Sequence, residues 1–287
     1  MRTFLVVLSL VAITNAVNVS KNYHLDIGIP TATRIKEAED KILAGGSRII
    51  GGNEARPNAH PYLVGLIITF WNNPGSSACG SVLVSANRLV TAAHCYDVGQ
   101  LFVRQFEAVL GSHFLFSGGT RIVSNRVVVH PSWNWNTLFA DIAMIYLPTS
   151  VGFSATIQPA ALPRNNLGDS FEGQIATASG WGQTRDAQSG VSFNAVVSYV
   201  NLRVISVRQC QAVFGPVFVQ SSTICTDGTG IVGVCYGDSG GPLVIKRNGE
   251  NILVGISSFI DYGGCEAGGP SAYARVTSFY NFIVQHL

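Results

Sequence analysis

The sequence predicts an all-β protein with one helix at its C-terminus, on three observations. Runs such as Tyr62–Phe70, Gly119–Val129 and Val196–Val204 are rich in β-branched and aromatic residues, and Gly, Pro, Asn and Ser bound them. Glycine supplies 31 of 287 residues, well above the typical share of about 7%, which suits many turns better than long helices. No strand–helix alternation, internal repeat or low-complexity tract interrupts the pattern.

Composition narrows the class further. Hydrophobic residues make up 47% of the chain and charged residues 12%, which supports a large buried core and excludes a mainly disordered protein. A net charge of +2 supplies no strongly basic face, so nucleic acid is not an expected partner.

Taken in order, the chain begins with Met1-Arg2, an apolar run Phe4–Ile13 and then Thr14-Asn15-Ala16. A basic start, a short apolar stretch and a small residue at its end read as a secretory signal, residues 1–16, and the protein is expected to be exported. A membrane anchor needs about 20 apolar residues, so no membrane association is expected. Residues 17–48 carry four acidic and five basic side chains, a glycosylation sequon at Asn18-Val19-Ser20, and end in Gly45-Gly46-Ser47-Arg48. They read as a polar, flexible propeptide cut after Arg48, where the chain changes to Ile49-Ile50-Gly51-Gly52.

All six cysteines lie beyond that boundary, at 79, 95, 210, 225, 235 and 265. An even count in an exported chain implies disulfides, with fifteen pairings open. No close Cys or His pair with ligand spacing occurs, and adjacent His94 and Cys95 are poorly placed for one ion, so neither metal nor cofactor is expected. At the far end, Thr277 or Ser278 can cap a helix over 277–287, with Phe279, Phe282, Ile283 and Leu287 on one face.

Three short motifs carry chemistry: Leu89-Val-Thr-Ala-Ala-His94-Cys95, Asp141-Ile-Ala-Met144 and Gly237-Asp238-Ser239-Gly240-Gly241-Pro242. A serine hydroxyl becomes a useful nucleophile only when a neutral imidazole takes its proton. A carboxylate must then hold that imidazole's tautomer and stabilise its cation. His94, Asp141 and Ser239 supply one residue of each type. An esterase elbow would also show G-x-S-x-G and could recruit Asp261 and His286. However, Pro242–Ile245 reads as strand and not as the helix that elbow requires.

With Ile49-Ile-Gly-Gly and Gly180-Trp181-Gly182 added, these motifs resemble the chymotrypsin/trypsin family of serine proteases over residues 49–287, in the order His, Asp, Ser. Val103–Phe106, Phe116–Arg121 and Ser257–Phe259 look most like insect gut chymotrypsin-, elastase- and collagenase-like members. The resemblance implies two antiparallel six-stranded barrels, about 49–160 and 161–275, with the active site between them. It implies the disulfides Cys79–Cys95, Cys210–Cys225 and Cys235–Cys265, and an oxyanion hole of the Gly237 and Ser239 N–H groups. It also implies a zymogen. Cleavage after Arg48 would free the Ile49 amine to pair with Asp238, and the uncut chain would hold Asp238 elsewhere with the hole unformed.

The same resemblance places substrate contacts at Gly233, Ser258, Phe259, Ile260 and Ser271. Trypsin has an aspartate where this chain has Gly233, and trypsin and chymotrypsin have glycine where it has Ile260. Without a carboxylate in the pocket, a Lys or Arg side chain would be buried unpaired. Small or medium apolar side chains are therefore expected before the cut, and Asp261 is expected at the rim. The stretch Gly111–Arg126 contains no acid, so the family's calcium site is not expected. Beyond Arg48 there are eleven Arg and one Lys, Lys246, a bias that an alkaline gut lumen would favour. The expected enzyme is a monomeric digestive endopeptidase acting on proteins and peptides, activated by a trypsin-like protease and open to protein protease inhibitors.

Overall fold

The computed structural model describes residues 22–45, 53–55, 59–97, 99–183 and 196–287. The signal segment, Asn18, Arg48 and Ile49 lie outside the described residues. The first described element corrects the reading of 17–48 as flexible. A π-helical turn, His24–Gly28, runs into helix α1, Ile29–Leu43. Pro30, which has no N–H to donate, sits where the π-helical turn passes into α1. Thr31, Ala32, Ile35 and Glu39 form one buried face, while Lys36 and Asp40 pair at 2.9 Å on the exposed one.

Two antiparallel sheets follow. The short strand β1 (Asn53–Glu54) pairs with the second, and the first is built from the seven strands that come after it. Strands β2 (Leu63–Phe70), β3 (Ser77–Ser85), β4 (Arg88–Thr91), β5 (Val103–Leu110), β6 (Thr120–Ser124), β7 (Val127–Val129) and β8 (Ala143–Tyr146) lie in the order β6-β5-β2-β3-β4-β8-β7. Strands β6 and β7 stand at opposite ends of that order, yet only Asn125 and Arg126 separate them in sequence. One extended segment thus pairs with β5 through its first half and β8 through its second, which closes the ring.

The second sheet contains β9 (Ile175–Gly180), β10 (Ser198–Ile205), β11 (Thr223–Thr226), β12 (Pro242–Arg247), β13 (Glu250–Ile260) and β14 (Ser271–Arg275). Strand β9 pairs with both β12 and β10, so these six strands also close, and β1 adds to β10 as a seventh. Each barrel has its own apolar interior. Val64, Leu66, Phe106 and Met144 belong to the first, and Leu202, Leu243, Val254 and Tyr273 to the second.

Two further helices differ from expectation. Helix α2, Val207–Phe214, starts with a capping box: the Gln209 N–H donates to Ser206 Oγ, and the Ser206 N–H donates to Gln209 Oε1. The C-terminal helix α3 is shorter than expected, Tyr280–Gln285, with Phe279 at its cap and no side-chain cap bond. Phe282 and Ile283 are buried, but Leu287 is 48% exposed because it lies beyond the helix end.

Candidate active site

Both barrels contribute to one cleft. The chain leaves β4 at Thr91 and enters a tight turn, Ala93–Cys95, which carries His94 inward at 4% exposure. Asp141 stands just before β8 and is 1% exposed, with Ala140 at a φ of +56° ahead of it. Its carboxylate holds the His94 turn twice. Oδ1 accepts from the His94 backbone N–H at 2.9 Å, and Oδ2 lies 2.7 Å from Nδ1. A carboxylate only accepts, so Nδ1 carries the proton and a neutral imidazole presents its lone pair at Nε2. That atom is buried and hydrogen-bonds to nothing among the described residues.

Ser239 comes from the loop before β12. Its carbonyl accepts from the Gly80 N–H on β3 at 2.7 Å, and the next residue's N–H donates to Ser257 on β13 at 2.8 Å. These bonds fix the serine loop between the two barrels. Gly237 adopts a φ of +103°, which side-chain-bearing residues rarely tolerate. Among the described residues, neither the Gly237 nor the Ser239 N–H has an acceptor.

Asp238, expected to receive the Ile49 amine after the cut, is half-buried, and its carboxylate accepts from Gly182 N–H at 2.9 Å and Cys235 N–H at 3.0 Å. Burial pushes its pKa up to about 6, and those two N–H groups pull it the other way. The Gly180-Trp181-Gly182 motif has a steric cause here, because a Cβ on Gly182 would stand 2.5 Å from the Asp238 carboxyl carbon.

Three disulfides join Cys79 to Cys95, Cys210 to Cys225 and Cys235 to Cys265. The first ties β3 to the His94 turn. The last ties the segment before Asp238 to the loop after β13. Cys79, Cys95 and His94 have potential ligand atoms within 4.8 Å of one another, but sulfurs joined in a disulfide are not thiolate ligands.

His94 and Ser239 line a cavity of about 150 Å³, together with Val234, Ser258, Phe259 and Ile260. Of the expected substrate contacts, Gly233 and Ser271 are not in its lining. Ser271 instead adjoins Gly233, its Oγ 2.9 Å from where a Cβ there would project; that Oγ accepts from the Val234 N–H at 3.3 Å, and its strand pairs it with Ile260. The Ser258 hydroxyl is committed to the Asp141 carboxylate at 2.5 Å. Trp135, Leu138, Asp261 and Tyr262 line the cavity without having been singled out as contacts. Asp261, expected at the rim, is among the lining residues, and its carboxylate accepts from the Gly263 N–H at 2.8 Å.

Comparison with known proteins places this geometry. The family model described as Trypsin matches residues 49–283. Collagenase of Hypoderma lineatum is 35% identical over 241 residues, covering 83% of this chain and 87% of the relative. Brachyurin of Leptuca pugilator is 38% identical over 238 residues, covering 82% and 96%. Chymotrypsin-like elastase family member 1 of Rattus norvegicus is 32% identical over 251 residues, covering 83% and 88%. A solved structure of HL collagenase matches with a TM-score of 0.74 at 34% identity, over 83% of this chain and 98% of that one.

Proposed function

The chain belongs to the trypsin family and is a serine endopeptidase, and from that premise we propose that Ser239, His94 and Asp141 perform acyl-enzyme hydrolysis of peptide bonds. The observation that carries this reading is the pair of bonds from Asp141 to His94, which turns an unbonded Nε2 toward the cavity that Ser239 lines. His94 takes the Ser239 proton as the hydroxyl attacks, and later gives it to the departing amine. Asp141 stabilises the imidazolium between these steps. The Gly237 and Ser239 N–H groups stabilise the oxyanion, and losing such a donor costs about 3–4 kcal/mol.

The reading extends to the enzyme's history. The protein is exported through its signal segment, cut after Arg48 by a trypsin-like protease, and active once the Ile49 amine pairs with Asp238. The half-buried Asp238 carboxylate, with no ion pair among the described residues and burial raising its pKa, supports that pairing. Val234, Phe259 and Ile260 favour small or medium apolar side chains before the cut, in a digestive setting.

The test is to cut the precursor after Arg48 and assay it on apolar peptides. Activity should appear with Ile49 as the new N-terminus. Ser239→Ala and His94→Ala should each remove nearly all of it, and the double variant should be no worse, because such groups act as a unit. Full activity in an uncut Arg48→Ala protein, or in either single variant, would overturn the reading.

A further inference from the structure

The helical segment ahead of the protease domain lies outside the matched residues 49–283, and it is docked in the cleft. The Tyr23 hydroxyl donates to the Ala78 carbonyl at 3.0 Å, and Tyr23 lines the same cavity as Ser239. Its ring stands edge-on to His94, with centroids 4.7 Å apart. Thr31 covers Gly237, its methyl 2.8 Å from where a Cβ on that glycine would project. The segment therefore meets the nucleophile, the base and one proposed oxyanion donor at once.

The remaining contacts have the character of a built interface. His24 is 1% exposed, its Nδ1 is 2.8 Å from Ser77 Oγ, and its ring packs edge-on to Phe70. A side chain on Gly28 would collide with Ser77, so only glycine lets the turn lie this close. Ala32 and Ile35 share a buried cluster with Leu63, Ile67, Val109 and Trp181, which come from both barrels. At the far end, Glu39 is 1% exposed and accepts from the Leu115 N–H at 2.6 Å and the Phe116 N–H at 2.9 Å.

A substrate must bring its carbonyl to Ser239 Oγ, with its oxygen toward Gly237 and its leaving nitrogen toward His94 Nε2. Tyr23 and Thr31 fill that space, whereas the cavity lined by Val234, Phe259 and Ile260 stays open beside Tyr23. The segment's backbone is satisfied within its own helix and does not present the extended form that a protease cuts. No cysteine precedes Cys79, so once the chain is cut no disulfide retains the segment.

We propose that residues 22–45 are an inhibitor of this protease, bound in the leaving-group half of the cleft. They act within the precursor and, after cleavage at Arg48, as a separate dissociable peptide. The proposal rests on the reading of Ser239 and His94 as catalytic residues. Activation then has two steps, the cut and the departure or digestion of the segment.

The test uses protein cut after Arg48 and separated from its segment, with a synthetic peptide of residues 22–45. The peptide should inhibit reversibly and in competition with an apolar peptide substrate, without being cut itself. Tyr23→Ala in the peptide should raise its inhibition constant roughly tenfold or more. Trp181 in the interface allows the same binding to be read by fluorescence on cut Ser239→Ala protein. Full activity at saturating solubility of the peptide, or cleavage of the peptide as an ordinary substrate, would overturn the proposal. A cut protein with no activity on any peptide would instead overturn the catalytic reading, and fluorescence would still report whether the segment binds.

Discussion

The Tyr23 ring meets the His94 imidazole edge to face, with centroids 4.7 Å apart and planes at 64°. One residue comes from the segment proposed to be removed on activation, the other is the proposed catalytic base. Tyr23 is 5% exposed, and truncating a buried aromatic side chain costs about 3–5 kcal/mol. Tyr23→Ala in an uncut Arg48→Ala precursor should therefore loosen the docked helix by about that much. Hydrogen exchange checks it: amide protection over α1 should fall by roughly two to four orders of magnitude. Unchanged protection would mean that Tyr23 does not hold the segment in place.

Two buried groups tie docking to pH, with opposite signs. Burial pushes the Glu39 carboxyl up from its ordinary 4.5 to about 7, with a further push from Asp40 and opposition from Arg121 and the Leu115 and Phe116 N–H groups. Its contribution to docking is full below 4.5 and is lost as pH rises through about 7. Burial, and then the neighbouring His94, lower His24 from 6.5 to about 3. Its contribution is full above 6.5 and is lost as pH falls toward about 3. The 22–45 peptide should thus bind more weakly at about pH 8.5 than at about pH 6.5. A Glu39→Gln peptide should lose less affinity over the same interval, a comparison in which the enzyme's own titrations cancel. Identical pH profiles for the two peptides would contradict the assignment to Glu39.

Ser258, expected to touch substrate, lines the cavity and also bonds the proposed catalytic carboxylate. Its hydroxyl donates to Asp141 Oδ2, the oxygen that also receives His94 Nδ1. Hydrogen bonds to charged groups contribute about 1.5–3 kcal/mol. Ser258→Ala should lower kcat by roughly tenfold or more and leave KM nearly unchanged. A raised KM with kcat intact would return Ser258 to the role of a substrate contact.

Specificity is tested at Ile260. It lines the cavity beside Val234 and Phe259, so cleavage should follow Ala, Val or Leu. Ile260→Gly should shift kcat/KM toward Phe and Tyr. Wild-type preference for Arg or Lys would show that Asp261, also in the lining, reads the substrate's charge.

Much of this architecture was legible because it is written in local pattern. Strand runs and their Gly, Pro and Asn boundaries fell close to β2, β10 and the β6–β7 segment. The Thr91–Cys95, Asp141–Met144 and Gly237–Pro242 motifs marked three residues from separate stretches that fold into one cleft. Other features needed tertiary structure. Helix α1 buries a stripe of mostly small residues, Thr31, Ala32 and Ile35, whose partners sit on both barrels. In sequence, its charged outer face dominated. Helix α2 carried a readable signal, Ser206-x-x-Gln209, that the strand-rich pattern overshadowed. Leu138 reaches the cavity from a backbone at a φ of +54°, which no local propensity announces.

The most direct measurement is mass-spectrometric mapping of a serine-reactive sulfonyl fluoride on uncut and cut protein. The account predicts a single adduct on Ser239 of the cut protein, with activity lost in proportion to labelling. Uncut Arg48→Ala protein, with Tyr23 and Thr31 in the cleft, should label far more slowly. A cut protein that stays fully active with Ser239 unlabelled, or that loses activity through an adduct elsewhere, would contradict it.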